Sequence, residues 1–330
     1  MNYKIVGTTV TELCQSEGSN TVNGVPTLSI MKKECIEDGK IGRYPYYSGN
    51  SFRGIMHREI ANYVMKRIGE RLSPADYHLN YAGGGSNYQT QTLDVVAKIR
   101  ELNPIVSVFG TSLAVEGKLM ISNLEPVNKF WRENQETGAR YSGLRDSLMY
   151  IKKDDILDGG ALDKYSAIVS DDDKDDYISR NSDVQEARAI AREKVKNTGS
   201  ETEKIQKESV KSYNKAECII IGATLVSYVG KKSDFTQIEK GMLLKGLELM
   251  MSQQLGGIKN KGYGVMSYSV VTEDAGSARE VMSSSKNELD IYKPIISLQL
   301  SSEERECVAA FEQWIDTATI ANMKVSDYLK

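Results

Sequence analysis

Two short stretches carry the residue types and spacings that could do chemistry. The first is Ser48-Gly49-Asn50-Ser51-Phe52-Arg53-Gly54, followed at once by the helix-like "IMHREIANYVMKRIGERL". A helix start presents unpaired N–H groups and the positive end of the backbone dipole, which together attract anions. Arg53 adds a forked donor suited to phosphate. Ser51 reads as the N-cap, and the helix then runs to about Leu72, with Ser73-Pro74 marking its end and Ile55, Ile60, Val64 and Ile68 near one face. The second stretch is "GGIKNKGYG", from Gly256 to Gly264. Gly256, Gly257, Gly262 and Gly264 with Lys259, Asn260 and Lys261 could form a backbone cradle for phosphate. Each stretch also has a plain structural reading: a capped surface helix with a solvated arginine, and a helix C-cap followed by a tight turn. The glycine-rich stretch is not a nucleotide-triphosphate loop, because Tyr263 stands where that motif needs lysine. It also follows a helix and precedes a strand, the reverse of a dinucleotide fingerprint.

The remaining candidates are weaker. His57 and Glu59 could suggest acid–base work, but a surface pair on a helix explains them. No metalloprotease, serine-hydrolase or Cys/His arrangement is present. "DDDKDD" at 171–176 lacks calcium-loop spacing and reads as a solvated loop. The interleaved basic and aromatic run at 130–153 offers Trp131, Arg132, Arg140, Tyr141, Arg145, Tyr150 and Lys152 for stacking on bases, or equally for packing on the body. Phe311 and Trp314, and Met242, Leu243, Leu247, Met250 and Met251, read as core.

The elements that must position these residues follow from the pattern. The chain has 330 residues, 40% of them hydrophobic, and 42 Lys+Arg against 45 Asp+Glu, for a net charge of −3. Such a balance confines any nucleic-acid binding to a local patch. Cys14, Cys35, Cys218 and Cys307 are scattered, with no CxxC pair, which argues against a structural zinc site and does not resemble a disulfide framework. With no signal peptide and no long apolar run, the expectation is a reduced, cytoplasmic protein with no membrane contact, no metal and no cofactor. Residues 2–14 read as a strand. Residues 15–49 read as a turn-rich connection with a short strand at "TLSIMKK", and 92–102 as a helix stopped by Asn103-Pro104. Residues 106–127 read as a strand pair. From 128 to about 215 the chain is polar, with a helix-like stretch at 185–215, and reads as a projecting insertion. Residues 217–230 read as a central strand and 234–255 as an amphipathic helix. Residues 262–274 give a last strand, and 276–330 a mainly helical extension with a capping box at Ser301 and Glu304. The order strand, helix, two strands, helix, strand is that of an α+β, ferredoxin-like fold, βαββαβ, the four-stranded sheet that RNA-recognition modules use.

In that order, "SGNSFRG", "FGTSLAVEGKLMISNLEP" and "GGIKNKGYGVM" resemble the RAMP superfamily of CRISPR-associated proteins, over roughly residues 1–127 and 217–272. A small-Gly-x-Ser-x-Arg-Gly helix start there accompanies a late glycine-rich loop. The length and the mid-chain insertion are similar to the backbone subunit, the seventh Cas family, most of all its type IV form and next its type III form. The resemblance implies an RRM-like palm at 1–127 and 217–275, fingers around 74–104 including "HLNYAGGGSNYQTQ", a thumb within 128–216, and the extension at 276–330. It implies copies stacked along a CRISPR guide RNA within an effector complex. The partners would be other copies, other effector subunits, a helicase, and a target nucleic acid paired to the guide. RNA contacts would come from Ser48, Gly49, Asn50, Ser51, Arg53, Gly256, Gly257, Lys259, Asn260, Lys261, Gly262 and Gly264. Thumb candidates are Arg140, Tyr141, Arg145, Met149 and Tyr150.

Type III backbone subunits cut target RNA with an aspartate in the loop after the first strand. Here that loop, "SEGSNTVNGVPTLSIMKK", has none, with Asn23 and Gly24 near the expected place. The implied role is therefore antiviral or anti-plasmid defence without catalysis by this subunit. Two alternatives stay open: a RAMP endoribonuclease that processes precursor CRISPR RNA, with His57 as its sole candidate base, and a type III-like target-cleaving subunit.

Overall fold

The computed structural model describes residues 2–22, 25–81, 83, 91–111, 114–153, 211–274 and 277–329. The first strand, β1 (Tyr3–Thr9), alternates strictly: Tyr3, Ile5, Gly7 and Thr9 face inward and Lys4 faces out. Period-two burial of this kind gives a sheet with one covered face. β1 lies between β12 (Thr224–Lys231) and β13 (Met266–Asp274), antiparallel to both, with Ile5 opposite Ser227 on one side and Val270 on the other. β6 (Leu119–Ile121) and β7 (Glu125–Pro126) pair with β12. The palm strands therefore stand in the order β13-β1-β12-β6, with α1 (Gly49–Ile68) following β1 and α5 (Gln237–Met251) following β12. This is the expected βαββαβ palm within an α+β fold.

The covered face is closed by α1, α5 and α6 (Ser302–Thr317). Phe52, Ile60 and Val64 meet Met242, Leu247 and Met250, with Phe311 beneath Trp314. The helix residues expected in the core are there. Gly241 lets α6 lie directly on α5, since a Cβ there would sit 1.9 Å from the Cys307 carbonyl oxygen. Thr236 and Glu239 cap α5, and Ser301 and Glu304 cap α6 as expected, each by a reciprocal box.

Several boundaries differ from the sequence reading. The connection at 15–49 is largely sheet: β2 (Ser16–Val22), β3 (Val25–Ile30), β4 (Lys32–Glu37) and β5 (Lys40–Pro45). α1 ends at Ile68, where Gly69 turns left-handed (φ 74°), and Pro74 opens α2 (Pro74–Tyr81) instead of closing α1. α3 (Leu93–Leu102) ends as expected, but Pro104 then starts α4 (Pro104–Phe109), capped by the Asn103 side chain. A proline that stops one helix is well suited to the first position of the next. The stretch read as one strand at 217–230 is the end of β11 (Lys211–Ile219), a turn at Gly222, and β12. The C-terminal extension is not mainly helical at its start. β14 (Ser277–Ser285) and β15 (Ile295–Leu298) widen the palm sheet beyond β13 before α6 and the short α7 (Ile320–Met323).

The chain divides into two compact units, residues 1–18, 28–147 and 217–330, and residues 19–27 with 148–216. The first holds the palm and a second sheet, β4-β5-β9-β8, with β8 at Trp131–Glu133 and β9 at Arg140–Ser142. Residues 128–147 thus belong to the first unit. β2, β3, β10 (Arg145–Lys153) and β11 form a sheet in the order β10-β11-β3-β2. "DDDKDD" and most of the helix-like stretch lie outside the described residues, while 211–215 are strand. Cys14 and Cys218 are joined by a disulfide, so the expectation of four free thiols is corrected; Cys35 and Cys307 are free. The pairing was invisible in the sequence because 204 residues separate the two cysteines, which the Leu13–Ile219 bridge brings side by side. No helix among the described residues is long and apolar enough to cross a membrane.

Candidate nucleic-acid interface

The start of α1 is built by groups distant in sequence. Ser48, not Ser51, is the N-cap, and its own side chain does not cap. The Ser48 N–H donates to Gln15 Oε1 (2.7 Å) and the Gly49 N–H to Asn123 Oδ1 (2.9 Å), while Gln15 Nε2 donates to Ser51 Oγ (2.7 Å). The helix begins earlier than expected because Gly49 can press against the chain after β6. A Cβ at Gly49 would lie 2.6 Å from the Ser122 carbonyl oxygen. Two amides that would have served an incoming anion are therefore already satisfied.

The glycine-rich loop docks beside this helix start. Gly256 N–H donates to the Tyr47 hydroxyl (3.3 Å), Gly257 N–H to the Cys14 carbonyl (2.6 Å), and Gly264 N–H to the Glu12 carbonyl (2.8 Å). Lys261 and Gly262 donate back to Ile258 and Lys259 in a short 3₁₀ turn. A Cβ at Gly256 would meet the Cys14 oxygen at 2.1 Å, and one at Gly264 the Leu255 oxygen at 1.8 Å, with φ of 75° and 86°. Only glycine fits both demands. These amides stitch the loop to the chain after β1 and to Tyr47, so the loop offers outward its exposed Lys259, Asn260 and Lys261 side chains. Burial, and then the nearby Arg58, hold the Lys259 ammonium below its ordinary pKa, with Glu59 opposing. Arg58 was missed in the sequence, although it lies seven residues after Ser51, on the same face of α1 two turns on.

Arg53 is elsewhere. Successive helix residues are about 100° apart, so Asn50, Arg53, Gly54 and His57 share a face next to, not on, the face of Ser51 and Arg58. They line an open pocket of about 660 Å³ with Phe109, Gly110, Gly117, Leu119, Glu116 and Lys232 among its walls. An Arg53 terminal nitrogen donates to the Phe109 carbonyl, and its Nε is buried with no partner. Burial lowers its pKa, and no carboxylate among the described residues pairs with it. His57 is not the surface residue expected. It is 6% exposed and stacked on Phe109 with ring centroids 4.6 Å apart. Burial first, then the Arg53 charge, push its pKa down to about 4, so it is neutral at pH 7. Between the pocket residues Gly117 and Leu119, Lys118 enters a buried ion pair: Glu239 of α5 accepts from Lys118 (2.7 and 2.8 Å) and from Ser107 of α4.

Of the thumb candidates, Arg140, Tyr141 and Arg145 lie in the first unit. Arg140 lies against the Trp131 ring and donates to the Glu37 carbonyl; Arg145 stands over the Tyr141 ring and near Glu217. Met149 and Tyr150 are on β10 within the second unit. Asn23 and Gly24 lie outside the described residues, as do "YAGGGSNYQTQ" positions 82 and 84–90. Among the described residues no cluster of His, Cys, Asp and Glu is arranged to hold a metal ion.

No protein-family profile and no curated protein sequence matches the chain. Among solved structures it resembles a chain of one titled "Type IV-B CRISPR Complex", at 16% identity and a TM-score of 0.50, over 83% of this chain and 92% of that one. At this identity the likeness is one of fold.

Proposed function

We propose that this chain is an RNA-binding backbone subunit of a CRISPR effector complex. It holds the guide strand by its phosphates, performs no cleavage itself, and stacks with further copies along the guide. The observation that carries this reading is Arg53: a half-buried guanidinium with no carboxylate partner among the described residues, facing an open pocket at the start of α1. A buried charge of this kind calls for a counter-charge from a ligand. Arg58 and Lys259 add positive charge on the adjoining face, which suits a strand passing over the helix start. The palm topology supports the reading, as does the fold shared with a chain of a type IV-B complex.

The test is co-expression with a CRISPR array. The purified protein should carry RNA of about spacer length in ladder-like oligomers, with an affinity that falls steeply with salt. Arg53→Glu combined with Lys259→Glu and Lys261→Glu should abolish RNA loading with the circular dichroism unchanged. Loading that survives this triple reversal places the strand elsewhere. A nucleic-acid-free monomer refutes the reading. Regular cleavage of paired RNA, lost on mutation of an acidic residue of this chain, would overturn its non-catalytic role.

A further inference from the structure

The pocket beside Arg53 has a hydrogen-bonding pattern of its own. The His57 ring donates to the Asn80 backbone carbonyl, and its Nε2 is buried without a partner. With the ring proton assigned to the nitrogen that faces Asn80, Nε2 is left as a lone-pair acceptor. One turn earlier on the same face, Arg53 Nε is a donor without a partner. Buried polar atoms left unpaired cost about 1–3 kcal/mol each, so a ligand that satisfies both is favoured. That ligand needs a donor for His57 and an acceptor for Arg53, side by side. Lys232 and its ion-pair partner Glu116 both stand at the wall, adding a donor and an acceptor but no net charge, so Arg53 is the lining cation without a carboxylate partner among the described residues. The volume, about 660 Å³, is in the range of small-molecule sites and well beyond one phosphate group. Gly54 keeps one wall clear: a Cβ built there meets nothing within 4 Å.

We propose that this pocket binds one nucleoside phosphate unit, its phosphate drawn by Arg53 and its sugar hydroxyl or base edge donating to His57 Nε2. Ribose hydroxyls and every base edge offer a donor next to an acceptor, whereas inorganic phosphate at neutral pH offers chiefly acceptors. The unit is either a free nucleotide or a nucleotide of a bound strand; the second source rests on the RNA-binding reading above.

The experiment titrates AMP, CMP, GMP, UMP and inorganic phosphate into the purified full-length protein by calorimetry. The variants are Gly54→Leu, which fills the pocket, and His57→Phe, which keeps the ring against Phe109 and removes the acceptor. Mononucleotides should bind the natural protein at least tenfold more tightly than phosphate does, and each variant should lose about tenfold. A second arm uses a guide-length oligoribonucleotide with a single abasic site moved along it. A position where base loss weakens binding to the natural protein, but not to Gly54→Leu, identifies a strand nucleotide as the occupant. Mononucleotide binding that Gly54→Leu abolishes, with no such position, identifies a free nucleotide. If mononucleotides bind and the oligonucleotide does not, the pocket stands and the RNA-binding reading falls. If mononucleotides do not bind and the oligonucleotide shows no such position, or both variants bind mononucleotides as tightly as the natural protein, the pocket proposal is overturned.

Discussion

Replacing Lys118 by methionine tests how the site is held. Lys118 and Glu239 have side chains 11% and 2% exposed and meet at 2.7 and 2.8 Å. Glu239 also accepts from the Ser107 hydroxyl and from the Thr236 amide (2.7 Å), so one carboxylate joins α4, the start of α5 and the chain entering β6. In Lys118→Met the Ser107 and Thr236 donors remain, but the buried carboxylate loses its counter-charge. Removing one partner of a buried pair costs about 3–5 kcal/mol. For a chain of this size that lowers the melting temperature by roughly 6–10 °C, at about 2 °C per kcal/mol. Adding Glu239→Gln removes the uncompensated charge. The double variant should therefore be less destabilised than the sum of the two single ones, with a coupling of about 2 kcal/mol. Urea unfolding followed by circular dichroism gives all three values. A Lys118→Met cost below about 1 kcal/mol, or strict additivity in the double variant, would refute the argument that this pair is buried and joins these elements.

Three further outcomes are expected. Gly264→Ala, at φ 86° with a Cβ 1.8 Å from the Leu255 oxygen, should cost about 3 kcal/mol or more, whereas Gly54→Ala in open space should stabilise by up to about 1 kcal/mol, both read from urea midpoints. For His57 the folded pKa of about 4 lies below the ordinary 6.5. The folded state therefore binds fewer protons between those values, and stability is lost as pH falls from about 6.5 to about 4, by roughly 3 kcal/mol from this group. His57→Phe should flatten that part of the stability–pH curve, and an unchanged slope would show that His57 is solvated. Peptide mapping without reductant should recover Cys14 linked to Cys218, and native alkylation should modify the half-buried Cys35 before the buried Cys307.

Much of the palm was legible because it rests on local pattern. The alternation of β1, the apolar stripe of α1 and the capping box at Ser301 are written within a few residues each. The strands at 15–49 were not, since glycines and prolines there look like turns and only pairing partners far along the chain make them sheet. β14 and β15 were missed for the same reason. Arg53 and the glycine-rich loop were found as candidates, but their geometry was not. The sequence could not say that the loop amides are spent on Glu12, Cys14 and Tyr47, or that Arg53 turns away from Lys259.

What the residues determined by themselves is therefore the βαββαβ order, the core faces of α1, α5 and α6, and the presence of an arginine at a helix start and lysines in a glycine-rich turn. Tertiary structure alone decided what these do. It set Gln15 and Asn123 on the helix N-terminus, buried His57 under Phe109, joined Cys14 to Cys218, and opened the pocket between α1, α4 and Lys232. The physical reason is range. Periodicity and capping act over one or two turns, whereas desolvation, unpaired donors and pocket walls are made by segments that only folding brings together.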